Sequence, residues 1–599
     1  MKASPAEISS SAEISRRMQL RPPFSVASGN PLLSLACLLV VLLACWRIVG
    51  TYTQLTQTSD EPAHVACGME LLTHRTYTYE TQHPPVARVM AALPLYLIGL
   101  RSRRLPDMML EGNAILNSGD YQRNLALARL GVLPFFLVVC AVIYLWTYRS
   151  VGEMGAFWAL VIFTTMPAVL AHAGLATTDM AAAASVAGAV LMFWYWRENP
   201  NARRSAAFGA VLGTAVLTKF SVPGFLLIAF LITWWIQRSN FTLPRISTRS
   251  LKWCAAVMLL TMWAWYGFST ASVFSGHPRA AANLADKSAM LYAIASSGVP
   301  LAQVPSGIAE LMQHLREGHA TYLLGAVGSK GSPLFFPIAV AVKTPITALL
   351  FVFAGLTALL LDLRRTRRFS PAWLPVLIAA AILLSCIPGR INIGVRHVLP
   401  IYPMLAIVAA IGVIQLWRLE TRWQPAVTAG LVLLLTWQIG SAYRARPDYL
   451  TYFNELGGRE PQRILVDSDF DWGQDVGKLR DWCIRNRVHQ LAVAFLGKPD
   501  LQRLGLPRST ELRPFMHASG TIAIGESRLR LGTDINGTFP KQGHGGYDWL
   551  LRYTPVAVIG KTIRVYQIPA PGSASELKSK DSRRATQNRA VRASSQGAD

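Results

Sequence analysis

The feature that most constrains this chain is a series of apolar blocks, each about 17 to 25 residues long and almost free of charge. A helix of that length crosses roughly 30 Å of hydrocarbon. Only 15% of the residues are charged and 52% are hydrophobic, with a mean hydropathy of +0.31, which is too little charge to cover a water-soluble protein of this size. An ordinary cytosolic enzyme, a disordered scaffold and a small disulfide-built secreted domain are therefore excluded. The candidate spans are 31–50, 129–147, 154–172, 178–196, 205–218, 221–236, 252–270, 335–361, 371–388, 397–416 and 424–442.

These blocks predict a multi-spanning α-helical membrane protein with about 11 to 13 transmembrane helices. The formal net charge is +25, and the basic residues lie mainly in short loops and in the C-terminal tail, where loop charge first reports topology. By the positive-inside tendency, the cytoplasmic side should hold the basic clusters at 197–204, 238–249, 364–368 and 418–422. The first span should then start in the cytoplasm, uncleaved. The loops expected on the opposite side of the membrane are 51–128, 273–334, 388–397 and the chain after about 443.

One stretch, 84–100, conflicts with this orientation. It is apolar enough to cross and is followed by Arg101, Arg103 and Arg104. A single crossing there would put every later basic cluster on the wrong side. We therefore expect a juxtamembrane or re-entrant helix, or a crossing compensated by a return within 105–128.

The predicted organisation has four parts. Residues 1–30 form a cytoplasmic N-terminal segment, and 31–446 form the transmembrane domain. Residues 447–570 are less apolar, and short runs such as QLAVAF and TIAIG, broken by Gly, Pro and Asn, predict a soluble α/β domain outside the membrane. Residues 571–599, rich in Ser, Ala, Lys and Arg without aromatics, predict a disordered basic tail.

The most informative polar stretch follows the first span. Asp60 and Glu61 are adjacent carboxylates close to a membrane surface, with His64 and His83 nearby. A carboxylate near a reacting oxygen, with partners that hold it, is what proton abstraction needs. Equally, Asp60 could cap a helix that begins at Glu61 and Pro62, because Asp before Pro at the first helical position is a common start.

The segment Ser59-Asp60-Glu61 after a first membrane helix, followed by His83-Pro84-Pro85, resembles the first extracytoplasmic loop of type-C (GT-C fold) glycosyltransferases. In particular it is similar to the protein O-mannosyltransferase and aminoarabinose transferase relatives, which use polyprenyl-phosphate sugars. The resemblance implies that Asp60 is the catalytic base. It also implies that no divalent metal or other cofactor is required, because protein cations can neutralise a single phosphate.

Further stretches resemble the same family in the same order. Asp179 matches its second acidic position, and Thr218-Lys219 matches its Thr-Lys turn. Four more stretches resemble bacterial members of the family: 318–345, 392–403, 452–455 and 467–475. The resemblance therefore covers most of residues 31–570. One departure concerns Gln82-His83-Pro84, where aminoarabinose transferases have Glu-Lys-Pro, and a metal site using that Glu is not expected here.

The resemblance and the chemistry together give a set of candidate site residues. The leaving lipid phosphate gains negative charge in the transition state, so cations should line the outer face. Interfacial snorkelling or binding of lipid headgroups is the alternative for any one of them. The candidates are Asp60, Glu61 and Asp179 for catalysis, Arg396, His397, Lys219, Arg390 and Lys330 for the donor phosphate, and His64, His83, His319 and Tyr322 for the substrates.

Some polar groups have a simpler explanation. Asp179 could cap its helix rather than react. His314, Glu317 and His319 could bind a metal, yet loop histidines are more often polar surface groups. The carboxylates Asp467, Asp469, Asp471 and Asp475 lack the glycine and the terminal glutamate of a calcium loop, and are interpreted as structural or acceptor-side.

The prediction is an inverting glycosyltransferase of the bacterial inner membrane with its active site on the periplasmic face. It would move a mannose-like hexose or a related sugar from a polyprenyl-phosphate donor to a protein, lipid or glycan acceptor, without nucleic acid. A membrane transporter or lipid-linked-sugar flippase is the alternative, in which Asp60, Asp179 and Lys219 line an ion or substrate path. A third possibility is a sugar-binding or assembly protein without catalysis.

Overall fold

The computed structural model describes residues 30–272, 288–419, 421–534, 538–540, 543 and 545–570. The predicted tail, 571–599, and nearly all of the N-terminal segment lie outside the described residues. The described chain forms two compact units, of which the first ends at Asp469 and the second begins at Phe470.

The first unit is predominantly helical, as predicted. In chain order its helices are α1 Pro31–Val49, α2 Glu61–His74, α3 Pro85–Leu97, α4 Met108–Leu116, α5 Tyr121–Val151, α6 Glu153–Thr164, α7 Pro167–Ala173, α8 Asp179–Glu198, α9 Ala202–Val216, α10 Val222–Asn240, α11 Thr248–Trp265, α12 Ala289–Ser296, α13 Gln303–Glu317, α14 Phe335–Lys343, α15 Ile346–Thr366, α16 Leu374–Cys386, α17 Ile401–Trp417 and α18 Gln424–Arg444. Short strand pairs connect β1 Thr270–Ala271 with β2 Val299–Pro300 and β3 Thr321–Leu323 with β4 Ala326–Gly328.

Within the described residues, six helices are long and apolar enough to cross a membrane: α1, α5, α8, α10, α15 and α18. If the bent pair α6–α7 is counted as one span, the number of candidate spans among the described residues rises to seven. The other predicted spans are also helical, but they are shorter or less apolar. The helix in the disputed 84–100 stretch, α3, has 13 residues and so extends only about 20 Å, too short to cross the hydrocarbon alone.

Two stretches predicted as continuous spans are broken. The predicted span 335–361 is divided into α14 and α15 at Thr344 and Pro345, and 154–172 into α6 and α7, bent by 72° before Pro167. Proline has no backbone N–H and its ring disfavours the α-conformation of the preceding residue. The hydropathy of these segments was predicted correctly, but the proline breaks within them were not.

The basic loops meet at one end of the helical unit. The guanidinium of Arg149 pairs with Glu198 at 2.7 Å, and the Asn240 side chain donates to the carbonyl of Phe369 at 2.8 Å. The start of α1 lies at this end too, since Asn30 N–H donates to Glu153 at 3.0 Å. These contacts join loops that the charge pattern assigned to one side.

The second unit is the predicted α/β domain. Within its described residues a five-stranded sheet has the order β6-β5-β7-β9-β8, with β5 parallel to β6 and β7, and β9 antiparallel to β7 and β8. The strands are β5 Gln490–Ala494, β6 Arg508–Glu511, β7 Gly520–Gly525, β8 Ala557–Ile559 and β9 Ile563–Ile568, and the helices are α19 Val476–Arg485 and α20 Glu526–Leu531.

The compact C-terminal unit begins later than the 447 boundary expected from composition. The reason is hydrogen bonding: the Asn454 side chain donates to the carbonyls of Ala341 and Thr344 at 2.6 and 2.7 Å, and Leu324 N–H donates to the Ile464 carbonyl at 2.9 Å. Residues 447–469 thereby belong to the helical unit.

Candidate active site

Charged side chains from four segments meet at the end of the helical unit opposite the basic loops. Asp60 precedes α2, Asp179 begins α8, Lys219 lies in the turn between α9 and α10, and Arg396 lies in the 3-10 turn 395–398. Arg396 Nη1 is 2.9 Å from Asp60 Oδ2 and 3.8 Å from Asp179 Oδ2, and Lys219 Nζ is 2.7 Å from Asp179 Oδ1. Residues named separately from the sequence are thus joined in a single cluster.

Burial distinguishes the members of this cluster. The side chain of Asp179 is 0% exposed, and those of Arg396 and Lys219 are 9% and 11% exposed, whereas that of Asp60 is 34% exposed. Asp60 stands at the start of α2, but its carboxylate forms no capping hydrogen bond within the described chain and binds Arg396 instead. Asp60 is therefore the one of these four whose carboxylate a substrate can reach.

Asp179 holds the cations. One carboxylate oxygen accepts the Lys219 ammonium, and the other accepts the hydroxyl of Thr177 at 3.1 Å. A buried carboxylate is stable only when it is paired and hydrogen-bonded. Asp179 and Lys219 satisfy each other, and Asp179 also faces Arg396. This arrangement fixes two positive charges close to the exposed carboxylate of Asp60.

Glu61 has a different environment from its neighbour. Its carboxylate is fully buried and receives Arg129 Nε and Nη2, each at 2.8 Å, as well as the N–H groups of Ala176 and Thr58 at 2.9 and 2.7 Å. Arg129 also donates to the carbonyls of Tyr52, Leu55 and Thr56. Burial acts to raise the pKa of Glu61, but the charge of Arg129 and the hydrogen bonds outweigh it, so the pKa is lowered. With its oxygens occupied, Glu61 positions the segment before α2.

His64 and His83 lie together beside this segment. Arg88 Nε donates to His64 Nδ1 at 3.1 Å, the rings of His64 and His83 are 5.5 Å apart, and His83 Nδ1 lies 2.7 Å from Glu80. Arg88 also forms an ion pair with Glu80 and donates to the Tyr77 hydroxyl at 3.0 Å. Burial and the charge of Arg88 lower the pKa of His64 well below its usual value. His64 is therefore a neutral imidazole whose proton is assigned to Nε2.

His397 follows Arg396 directly. In the described part of the chain its Nε2 is buried without a hydrogen-bond partner. Burial, with the charges of Lys219 and Arg396, lowers the pKa of His397 well below its usual value. From its sequence position, His397 is expected to be one of the cations. The structure corrects this, because desolvation and two neighbouring positive charges keep the imidazole neutral near pH 7.

The remaining candidates lie apart from the charged cluster. Arg390 is exposed and donates to the Arg316 carbonyl at 3.2 Å, and exposed Lys330 forms no hydrogen bond or ion pair with the described residues. His319 Nδ1 lies 2.9 Å from the Ala320 carbonyl oxygen, and the Tyr322 hydroxyl donates to the Arg463 carbonyl at 3.4 Å. Their roles as ligands stay predictions.

Residues 467–469, which belong to the acidic stretch 467–475 noted in the sequence, support the site. Asp469 Oδ1 accepts the N–H of Val395 at 3.0 Å, and the Ser468 hydroxyl donates to the Ile393 carbonyl. Lys343 Nζ donates to the main-chain carbonyl of Asp469 at 2.6 Å. The turn that carries Arg396 is thus fastened to the end of the helical unit. No local pattern in the sequence indicates this pairing.

The described residues contain no group of three or more His, Cys, Asp or Glu side chains arranged to hold a metal ion. The rings of His314 and His319 are 6.2 Å apart, and Glu317 accepts a hydrogen bond from Gln313. Asp471 accepts the N–H of Ser527, while Asp475 pairs with Lys478. The carboxylates of Asp469, Asp471 and Asp475 therefore have separate partners.

No family model and no curated protein matches the chain. Among solved structures, it is similar to ArnT from Cupriavidus metallidurans in the apo state, with a TM-score of 0.46, 13% identity and coverage of 88% of this chain and 97% of that one. For ArnT from Cupriavidus metallidurans bound to undecaprenyl phosphate, the TM-score is 0.46 and the identity 14%, with coverage of 88% of this chain and 97% of that one. A third similar structure is the oligosaccharyltransferase AglB from Archaeoglobus fulgidus in complex with an inhibitory peptide and a dolichol-phosphate. Its TM-score is 0.47 and its identity 10%, with coverage of 88% of this chain and 72% of that one.

The chain is thus similar to solved membrane glycosyltransferases, and ArnT is of the aminoarabinose transferase kind that the sequence motifs resemble. Because these TM-scores are below 0.5, no residue role or substrate is carried over from them. What the structure itself defines is a multi-spanning helical membrane protein with a C-terminal α/β domain and a charged cluster at one end of the helical unit.

Proposed function

We propose that this protein is an integral-membrane glycosyltransferase that transfers a sugar from a polyprenyl-phosphate donor to an acceptor, with Asp60 as the general base. The observation that carries the proposal is the partly exposed Asp60 carboxylate, held by the buried guanidinium of Arg396. Beside it Lys219 is fixed by Asp179. A reachable base next to two immobilised cations is the arrangement that displacement of a phosphate from a sugar requires.

The proposed reaction is a single displacement. An acceptor hydroxyl or amine gives its proton to Asp60 as its oxygen or nitrogen bonds to the anomeric carbon. The bond from that carbon to the phosphate oxygen breaks, and the electron pair leaves with the lipid phosphate. Because attack and departure occur on opposite faces of the carbon, the configuration inverts.

The charge balance of the cluster links the two halves of this step. When all four groups are ionised, Asp60 and Asp179 neutralise Arg396 and Lys219. Protonation of Asp60 removes one negative charge from beside Arg396 at the moment when the leaving phosphate gains one. The guanidinium can then stabilise the leaving group, and Arg suits this because it grips phosphate bidentately.

The other candidate residues have supporting roles in this proposal. Glu61 and Asp179 position the base and the cations, and His64 and His83 offer ring nitrogens to the substrates. If the basic loops face the cytoplasm, the site opens on the extracytoplasmic side, the periplasmic face of a bacterial inner membrane. A protein, lipid or glycan acceptor would reach it from there.

The test measures sugar release and transfer by the purified full-length protein in detergent, with a panel of labelled polyprenyl-phosphate hexoses and candidate acceptors. Asp60→Asn should reduce transfer about 10²- to 10⁴-fold and leave donor binding largely intact. The matched control is Asp120→Asn, since exposed Asp120 caps α5 by accepting the Arg123 N–H and Asn caps equally well.

Turnover unchanged in Asp60→Asn would refute Asp60 as the base and make Asp179 the next candidate. Absence of turnover with every donor would refute the enzyme class and favour the transporter or flippase, which a donor-translocation assay in vesicles would then examine.

A further inference from the structure

The chain segment that ends the helical unit brings another carboxylate to the same site. Ser468 and Asp469 are hydrogen-bonded to the carbonyl of Ile393 and the N–H of Val395, directly beside Arg396. Gly394 allows this close approach, because a Cβ there would overlap the Ser468 hydroxyl. Asp467, the residue before this pair, is thereby fixed next to the turn that carries the guanidinium.

Asp467 is held in an unusual conformation. Its φ is +56° and the residue is only 7% exposed. A left-handed backbone is uncommon for residues other than glycine, and such residues persist only where the surroundings determine them, often at ligand sites. A buried carboxylate adds a desolvation cost. Both costs would be avoided by a glycine; within the turn, Asp467 Oδ1 accepts the N–H of Ser468 at 2.6 Å.

The electrostatic neighbours of Asp467 include Asp60 and Arg396 of the charged cluster. Burial raises the pKa of the Asp467 carboxyl; the neighbouring His319 and Arg396 act to lower it, and Asp60 acts to raise it further. Asp467 therefore lies within electrostatic range of both the exposed base and the guanidinium. In the proposed reaction the sugar lies beside this ion pair, with its anomeric carbon between the acceptor atom and the leaving phosphate oxygen.

Building on the proposed function, we propose that Asp467 is a substrate-binding carboxylate that accepts a hydrogen bond from a hydroxyl of the sugar being transferred. The acceptor atom contacts Asp60 and the phosphate contacts the cations, so that a carboxylate reaching both regions faces the sugar ring between them. Carboxylate oxygens are strong acceptors for hydroxyl groups. Asp467 would then select sugars by their hydroxyl pattern.

The experiment uses the full-length protein with whichever polyprenyl-phosphate hexose of the panel is turned over, and with monodeoxy versions of that donor. Asp467→Asn and Asp467→Gly are the test variants, because Asn and Gly both tolerate positive φ and should leave the turn intact. Lys561→Gly is the matched control: Lys561 is exposed, has a φ of +89° and lies in the second unit.

Both variants should reduce kcat/KM by about 10- to 100-fold, mainly through a higher KM for the donor, with thermal midpoints close to that of the wild type. One monodeoxy donor should lower the wild-type kcat/KM by a similar factor and cause no further loss in Asp467→Asn. Such non-additivity identifies the hydroxyl that Asp467 binds.

Equal activity of Asp467→Asn and wild type would overturn the inference and leave the proposed function standing. A loss of thermal midpoint that parallels the loss of activity would also overturn it, because Asp467 would then be structural. A wild type that releases and transfers no sugar from any donor overturns the proposed function, and this inference falls with it.

Discussion

Asp60 and Glu61 are consecutive carboxylates with opposite environments. The Glu61 side chain is completely buried and bound by both Nε and Nη2 of Arg129 together with backbone N–H groups. The Asp60 side chain is 34% exposed and paired with Arg396 through Oδ2. A fully occupied carboxylate has no lone pair for a substrate proton, whereas a partly exposed one has. The difference teaches that adjacency in a motif does not imply a shared role.

The difference originates in the partners. Arg129 lies within α5 and faces the carbonyls of the segment before α2, so that Glu61 completes a structural clamp. Arg396 comes from a turn much later in the chain, and its guanidinium also faces Asp179. One carboxylate fastens the chain, and the other is presented at the surface.

The largest effect is expected for the structural carboxylate of the two, Glu61. Glu61→Gln leaves the buried charge of Arg129 without its counter-ion, and breaking such a buried pair costs about 3 to 5 kcal/mol. We expect a large fall in the thermal midpoint in detergent, and loss of activity with the fold. Asp60→Asn serves as the control and should keep nearly the wild-type midpoint. A stable Glu61→Gln protein would show that the clamp is not structural.

The next effect concerns the reactive half. Lys219→Met removes the cation that is 2.7 Å from Asp179, and loss of one group that stabilises developing charge typically costs about 10² to 10³ in rate. Steady-state kinetics with the polyprenyl-phosphate donor should show this loss. Lys330→Met, at an exposed lysine, is the comparison variant. If both variants behave alike, Lys219 is not part of the site.

A smaller effect tests the packing behind both carboxylates. Gly68 lies in α2, and a Cβ there would overlap the main-chain carbonyl of Arg88 in α3. Gly68→Ala should lower stability by about 1 to 3 kcal/mol through overpacking. Gly188→Ala in α8, where a Cβ meets only an ordinary contact with Val142 at 3.9 Å, should be neutral or stabilising. Equal thermal midpoints for the two variants would contradict this close approach.

A pH-dependent effect extends the comparison to Asp471, a buried carboxylate without an arginine partner in the described part of the chain. Burial raises the pKa of Asp471 to about 7, although the N–H groups of Ser527 and Gly473 act to lower it. The folded state then binds a proton that the unfolded chain releases near its ordinary value. This contribution to stability is fully present below about pH 4 and is lost as the pH rises through about 7.

Thermal midpoints of the wild type and Asp471→Asn, measured from pH 5 to pH 8, test this sign. The wild type should lose more stability over that range than Asp471→Asn, whose side chain does not titrate. An identical pH dependence in both proteins would contradict the raised pKa.

The sequence could indicate the membrane fold because hydropathy is a local property. Similarly, Asp60, Asp179, Lys219 and Arg396 could be named, since each carries an ionisable group at the predicted outer end of a span. Their pairing could not be predicted, because it joins residues distant in the chain. The different environments of Asp60 and Glu61 depend on Arg129, which binds only Glu61 of the two. In the sequence Arg129 is simply the first residue of a predicted span, and nothing there indicates this pairing.

Other residues show the same limit. The phosphate-binding roles of Arg390 and Lys330, inferred from charge and side alone, stay predictions. His397 was counted as a cation because its burial beside Lys219 and Arg396 is invisible in the sequence. Asp467 was interpreted as part of an acidic stretch, because the sequence shows neither its positive φ nor the hydrogen bonds of Ser468 and Asp469 to residues 393–395.

The pair of Asp60 and Arg396 also sets a time order for biosynthesis, because 336 positions separate the two residues. At translation rates of about 5 to 20 residues per second, Asp60 precedes its guanidinium by roughly 20 to 70 s. Throughout that interval the nascent chain carries the carboxylate without the phosphate-binding cation, so the catalytic pair is completed only when most of the helical unit has been synthesised.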